Sequence, residues 1–185
     1  MLTQAVKPRW HECLVMTKKN FKIIFFNGGF AGDLITALYN PKLFKNFNKN
    51  TVLLDDKVLK LKSYEFRQNH SYNDKINYLK SIEKFGVCSS HDIELSLRLK
   101  NNTILIYCSD YKLVELFYSR LTRTKEDTIM LLDGHINWQK SSKKIFKKQI
   151  DLANITKHNF LENLNIKNYR SSAILKEWLE LNKLN

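Results

Sequence analysis

The sequence predicts an α/β fold: a three-layer arrangement in which a mostly parallel sheet is flanked by helices. Two strand-to-helix units predict it. In FKIIFFNGGFAGDLITAL, the apolar run Lys22 to Phe26 enters three glycines, Gly28, Gly29 and Gly32, and leaves with Leu34, Ile35 and Leu38 at helical spacing. In TILIYC, Thr103 to Cys108, a second buried-type strand passes Ser109-Asp110 into a segment carrying Leu113, Leu116, Phe117 and Leu121 on one helical face. Strands alternating with helices place the functional crevice at the carboxyl ends of the strands.

The chain's 185 residues suit one core, and no repeat or low-complexity linker divides it. Residues 1–20 read as an N-terminal arm interrupted by Pro8, and 21–185 as one domain. Within it, Asp33 to Tyr39 is a helix closed by Asn40-Pro41. Thr51 to Leu61 reads as a hairpin turning at Asp55-Asp56-Lys57, or as a short excursion from the main sheet. Tyr72 to Lys84 has the spacing of an amphipathic helix, and Gly86 to Cys88 that of a short strand. Ser89-Ser90-His91-Asp92 reads as the opening of a helix through Leu99, with Ser89 and Asp92 at capping-box spacing. Thr128 to Leu132 is a further strand candidate, and Trp138 to Lys148 a basic segment anchored by Ile145 and Phe146. Ser172 starts a closing helix whose apolar face is Ile174, Leu175, Trp178 and Leu179.

Thirty-one Lys and Arg against 18 Asp and Glu give a formal charge of +13, a field that attracts nucleic acid, nucleotides or an acidic protein partner. Lysine dominates the excess, whereas bidentate phosphate and base-reading sites favour arginine. A solvated surface built from an AT-rich coding sequence explains the basicity equally well. The densest local patch is QKSSKKIFKK, Gln139 to Lys148. Cys13, Cys88 and Cys108 form no disulfide framework or zinc spacing. No apolar run approaches membrane-helix length, and the N-terminal stretch lacks the apolar core of a secretory signal. A cytoplasmic location with no membrane partner is the expectation. HExxH, GxSxG and paired metal-ligand motifs are absent, so no metal is expected.

Main-chain N–H groups at a helix start attract anions, and glycines let a phosphate come close, so Asn27, Gly28, Gly29 and Gly32 form a candidate cradle. A Walker A loop requires GxxxxGK[ST]. Here Gly28 to Gly32 is one residue short, and Asp33 stands where the lysine belongs. A carboxylate in the first helical turn gains about 0.3–1 kcal/mol from the helix dipole and opposes a phosphate at the same amides. A tight structural turn accounts for the glycines equally well.

Three segments carry a family resemblance: FFNGGFAGDL; VCSSHDIELSLRLKNNTILIYCSDYKLVELFYSRL; and DLANITKHNFLENL with the terminal EWLELN. In their order the chain resembles the sulfotransferase family of the P-loop fold, including its short, divergent phage members. The resemblance implies that His91 is a general base deprotonating an acceptor hydroxyl. It also implies that Ser109 and Arg120 serve the 3′-phosphate of a donor such as 3′-phosphoadenosine 5′-phosphosulfate, and that the protein works in a host cytoplasm or a virion. An unperturbed histidine pKa near 6.5 suits the base role. The chain departs from the family where its donor loop carries lysine and hydroxyls: Phe30, Asp33 and Leu34 stand there. In the second phosphate element Ser109 is near the first position and Phe117 near the second, with Ser119 and Arg120 displaced. Asp133-Gly134-His135, read as a turn, makes His135 a second acid/base candidate. The alternative function is a non-catalytic phage accessory or virion protein that holds nucleic acid or a protein partner on its basic surface.

Overall fold

The computed structural model describes residues 21–27, 31–55, 80, 83–91, 93–120 and 124–184. Its centre is a four-stranded parallel sheet in the order β4-β1-β5-β6, formed by β1 (Lys22–Phe25), β4 (Val87–Ser90), β5 (Thr103–Tyr107) and β6 (Lys148–Asp151). By chain order within the sheet this is 2-1-3-4. The path runs outward one way from β1 and then crosses back, so the switch point lies between the carboxyl ends of β1 and β5.

Period-two alternation along β1 and β5 sorts the core into two layers. Ile24, Phe26, Ile104 and Ile106 face a large cluster with α1 (Gly32–Tyr39), α3 (Tyr111–Ser119) and α6 (Tyr169–Leu181). Phe25 and Leu105 face the other way, onto Phe146 and Trp138 at the end of α4 (Lys125–Ile145). Phe25 sits 5.2 Å from the Phe146 ring and 5.5 Å from Trp138, both tilted, a spacing favoured by ring quadrupoles. The chain is therefore α/β, with a parallel four-stranded sheet flanked by helices. No helix among the described residues is long and apolar enough to cross a membrane.

Several elements depart from the sequence-based expectation. β3 (Thr51–Leu54) pairs antiparallel with the preceding β2 (Phe44–Asn48), and the hairpin turns at Lys49, where φ is 55°, instead of at Asp55. The second run, 58–61, lies outside the described residues. Gly86 supplies a turn at φ 70°, and β4 starts one residue later than expected and runs on to Ser90. Ser89 and Ser90 are thus strand residues, not helix caps, and α2 (Ile93–Arg98) begins beyond them. The helix expected over 72–84 falls largely outside the described residues, as does the arm 1–20.

Thr128 to Leu132 is helical, not a strand: α4 runs unbroken from Lys125 to Ile145 and contains Asp133-Gly134-His135. The Thr124 hydroxyl accepts from the Asp127 amide at 3.1 Å, and Glu126 and Asp127 complement the dipole in the first turn. Thr128 satisfies its own hydroxyl on the Thr124 carbonyl at 3.0 Å. In α6 the cap is Asn168, which accepts from the Arg170 amide at 2.8 Å, so Ser172 is already inside the helix. The α5 turn (Phe160–Asn163) joins β6 to that helix.

Candidate functional site

At the carboxyl end of β1 a cavity of about 310 Å³ opens between the first turn of α1, the β2–β3 hairpin, the end of α3 and the last turn of α6. His91, which follows β4, lines it. Its Nδ1 lies 2.8 Å from the Phe26 carbonyl oxygen, and its ring sits 4.2 Å from the Phe26 ring. A carbonyl only accepts, so Nδ1 carries a hydrogen, and in the neutral ring Nε2 carries the lone pair. That tautomer is the one a general base needs.

Two opposite charges share the cavity. Asp33, in the first turn of α1, accepts the Ser89 hydroxyl at 2.8 Å. Arg120, at the end of α3, donates from Nη1 to the Asn182 side-chain oxygen and from Nη2 to the Asn182 carbonyl at 3.3 Å. Asn182 is only 2% exposed, and its own amide donates to the Trp178 carbonyl at 2.8 Å and the Asn50 carbonyl at 3.3 Å. The guanidinium is thereby tied to the C-terminal end of α6, where main-chain carbonyls favour a cation. Burial lowers its pKa, yet an arginine keeps its charge at any ordinary pH. Phe117 and Trp178, ring centroids 6.0 Å apart, supply flat apolar wall.

Of the residues singled out in the sequence, His91, Gly32 and Arg120 meet at this cavity. Gly32 is required by packing: a Cβ there would lie 2.2 Å from the Phe26 ring. Gly32→Ala is therefore expected to cost about 1–3 kcal/mol through overpacking, read as a lower urea midpoint with an unchanged slope. Ser109 is elsewhere. Its amide and hydroxyl both bind the Asp151 carboxylate, at 2.9 and 2.6 Å, joining the ends of β5 and β6. Asn27 turns to the switch point between β1 and β5, where its side-chain amide donates to the Tyr118 hydroxyl at 3.1 Å. Gly28 and Gly29 lie outside the described residues.

His135 belongs to that second cluster, and it is a buried helix residue, 1% exposed, in place of the expected turn histidine. A main-chain donor fixes the direction of the whole chain of bonds. The Cys108 amide donates to Gln139 Oε1 at 3.1 Å, so that oxygen is an acceptor and His135 Nε2, also 3.1 Å away, must donate to it. Nδ1 then accepts from the Tyr118 hydroxyl at 3.0 Å. Burial lowers the His135 pKa, partly offset by the Gln139 bond, and raises that of Tyr118. Burial also pushes the Cys108 thiol up to about 12, against the opposing effect of its bond to the Asp110 carbonyl. A neutral imidazole and a protonated thiol make this a positioning cluster for the β1–β5 junction.

The missed cavity residues had weak signals. Asn182 is a single polar residue whose partner Arg120 is distant in sequence, and Phe117 and Trp178 read as core. Among the described residues no group of three or more His, Cys, Asp or Glu is placed to hold a metal ion. Among the described residues the cavity brings together one guanidinium, Arg120, and one carboxylate, Asp33. No protein-family model, curated protein or solved structure matches the chain.

Proposed function

We propose that this protein is a small sulfotransferase-like transferase whose cavity takes an aryl ester of sulfate, or a comparably small anion-bearing ester, and an acceptor hydroxyl. The observation that carries this reading is the pairing of an Nε2 lone pair on His91 with the Arg120 guanidinium at one cavity. In the proposed step His91 Nε2 takes the acceptor's proton as the acceptor oxygen forms its bond to sulfur. The bond from sulfur to the donor's ester oxygen breaks, and the donor leaves as a phenolate. Arg120 holds the sulfonate charge, and Phe117 and Trp178 flank the ring. The Ser89–Asp33 bond restrains the carboxylate that would otherwise repel the same group.

Thermal unfolding with 4-nitrophenyl sulfate tests the reading. At a concentration a hundred times the dissociation constant, binding adds about 2.7 kcal/mol and raises the Tm by roughly 5–10 °C. Arg120→Gln should abolish the rise. Absence of any shift at millimolar ester removes the proposal, and a shift with 3′,5′-diphosphoadenosine alone would return the nucleotide donor in its place.

A further inference from the structure

The sheet's polarity sorts charge between its two edges. The carboxyl edge, where the cavity lies, carries Asp33, Asp110 and Asp151 at the strand ends and helix starts. The amino edge carries lysine. Lys22 and Lys148 are the first residues of β1 and β6, and Lys148 Nζ donates to the Asn101 carbonyl at 2.5 Å, beside Lys100 in the turn before β5. Lys144 lies in the last turn of α4, shortly before β6 begins.

A groove of about 700 Å³ runs along this edge. Among the described residues that line it, the charged ones are Lys22, Lys148 and Lys167, the amides are Gln149, Asn163, Asn165 and Asn168, and none is a carboxylate. The Ser171 hydroxyl, bonded to the Leu38 carbonyl at 2.8 Å, fixes the start of α6 against the end of α1 and so closes one wall. Immediately after Asn168, Tyr169 projects from the first position of α6 with 87% of its surface in water. A second ring, Tyr39, lines the groove with the Lys22 ammonium 5.1 Å from its centre.

We propose that this amino-edge groove binds single-stranded nucleic acid, independently of the cavity at the opposite edge. Lysines supply sequence-independent phosphate contacts, side-chain amides supply donors and acceptors for sugars and base edges, and an exposed tyrosine offers a stacking face. The combination favours a nucleic acid over an acidic protein, since a carboxylate-rich partner needs neither the amides nor the ring. The site is distinct from the basic segment Gln139 to Lys148, of which, among the described residues, Lys148 lines it.

The test is fluorescence anisotropy with a fluorescein-labelled, mixed-sequence 15-nucleotide DNA across a salt series. The full chain should bind with a steep negative salt slope. Changing Lys22, Lys148 and Lys167 together to Gln should reduce the slope of log K against log salt by about 2, as expected for three lost single-strand phosphate contacts. Tyr169→Ala should weaken binding roughly 5- to 150-fold at an unchanged slope. A control with Lys49, Lys112 and Lys125 changed to Gln removes the same charge from the carboxyl edge. An equal loss in that control would overturn the groove in favour of net charge alone. Equal competition by polyglutamate, or tighter binding of a duplex of the same length, would also overturn it.

Discussion

Replacing His91 with alanine is expected to slow release of 4-nitrophenol from 4-nitrophenyl sulfate, with an acceptor alcohol present, by about 10²–10⁴-fold, the range for losing a positioned general base. The Michaelis constant should change little, because in the proposed step the imidazole meets the acceptor proton whereas Arg120, across the same cavity, meets the ester's charge. Arg120→Gln should do the reverse and raise the Michaelis constant first. The base role depends on the tautomer: the Phe26 carbonyl holds the hydrogen on Nδ1, so Nε2 is the atom that accepts the proton. Added imidazole should then restore part of the lost rate in His91→Ala, since a small diffusible base can enter a cavity of about 310 Å³. An alanine variant with the parent's rate would remove His91 from the chemistry and leave the cavity as a binding site only.

The parts legible in the sequence were those in which burial and apolar pattern coincide. β1 and β5 are short, nearly continuous apolar runs buried on both faces, and each is followed by a helix with an apolar stripe, so both units were placed to within a residue or two. α4 inverts the usual rule. Its buried residues are Thr128, His135, Gln139 and Ser142, spaced by 7, 4 and 3, a helical stripe made entirely of polar side chains. Ile129 and Met130 face outward, Met130 with 67% of its surface exposed. Reading apolar residues as the buried face therefore took Thr128 to Leu132 for a strand and Gly134 for a turn. β2 was missed for a related reason: FKNFN is a two-stranded ribbon with only its phenylalanines half-buried, and they lean on each other at 4.9 Å. Of the site, His91 and Arg120 were reached through a resemblance in element order. The bonds that position them, to Phe26 and Asn182, join residues 62 or more apart and leave no local pattern.

Mild acid should destabilise the protein through His135. Burial holds its pKa below the ordinary value near 6.5, so in the folded state the ring stays neutral where the unfolded chain has already taken a proton. Stability contributed by the neutral ring is complete above pH 6.5 and is lost as pH falls below that value toward the lowered one, with a slope of at most about 1.4 kcal/mol per pH unit. The geometry explains the cost. Nε2 already donates to Gln139, whose oxygen the Cys108 amide also requires, so a new proton can enter only at Nδ1. There it meets the Tyr118 hydroxyl and the Asn27 amide, which also present hydrogens. Among the described residues, Tyr118 from α3, Asn27 after β1, and Gln139 and Trp138 from α4 itself meet the ring, and none of these four is an anion. Urea midpoints between pH 7 and pH 5 should therefore fall by an amount equivalent to at most about 2 kcal/mol. His135→Gln, which has no proton to gain, should flatten that dependence whatever its effect at pH 7. His135→Ala, which also opens a cavity and removes the acceptor of the Tyr118 hydroxyl, should cost about 3–5 kcal/mol at pH 7 and less at pH 5, where the parent has lost the contribution of its neutral ring. An unaltered pH slope in the glutamine variant would move the acid sensitivity to another group and leave the His135 cluster as packing alone.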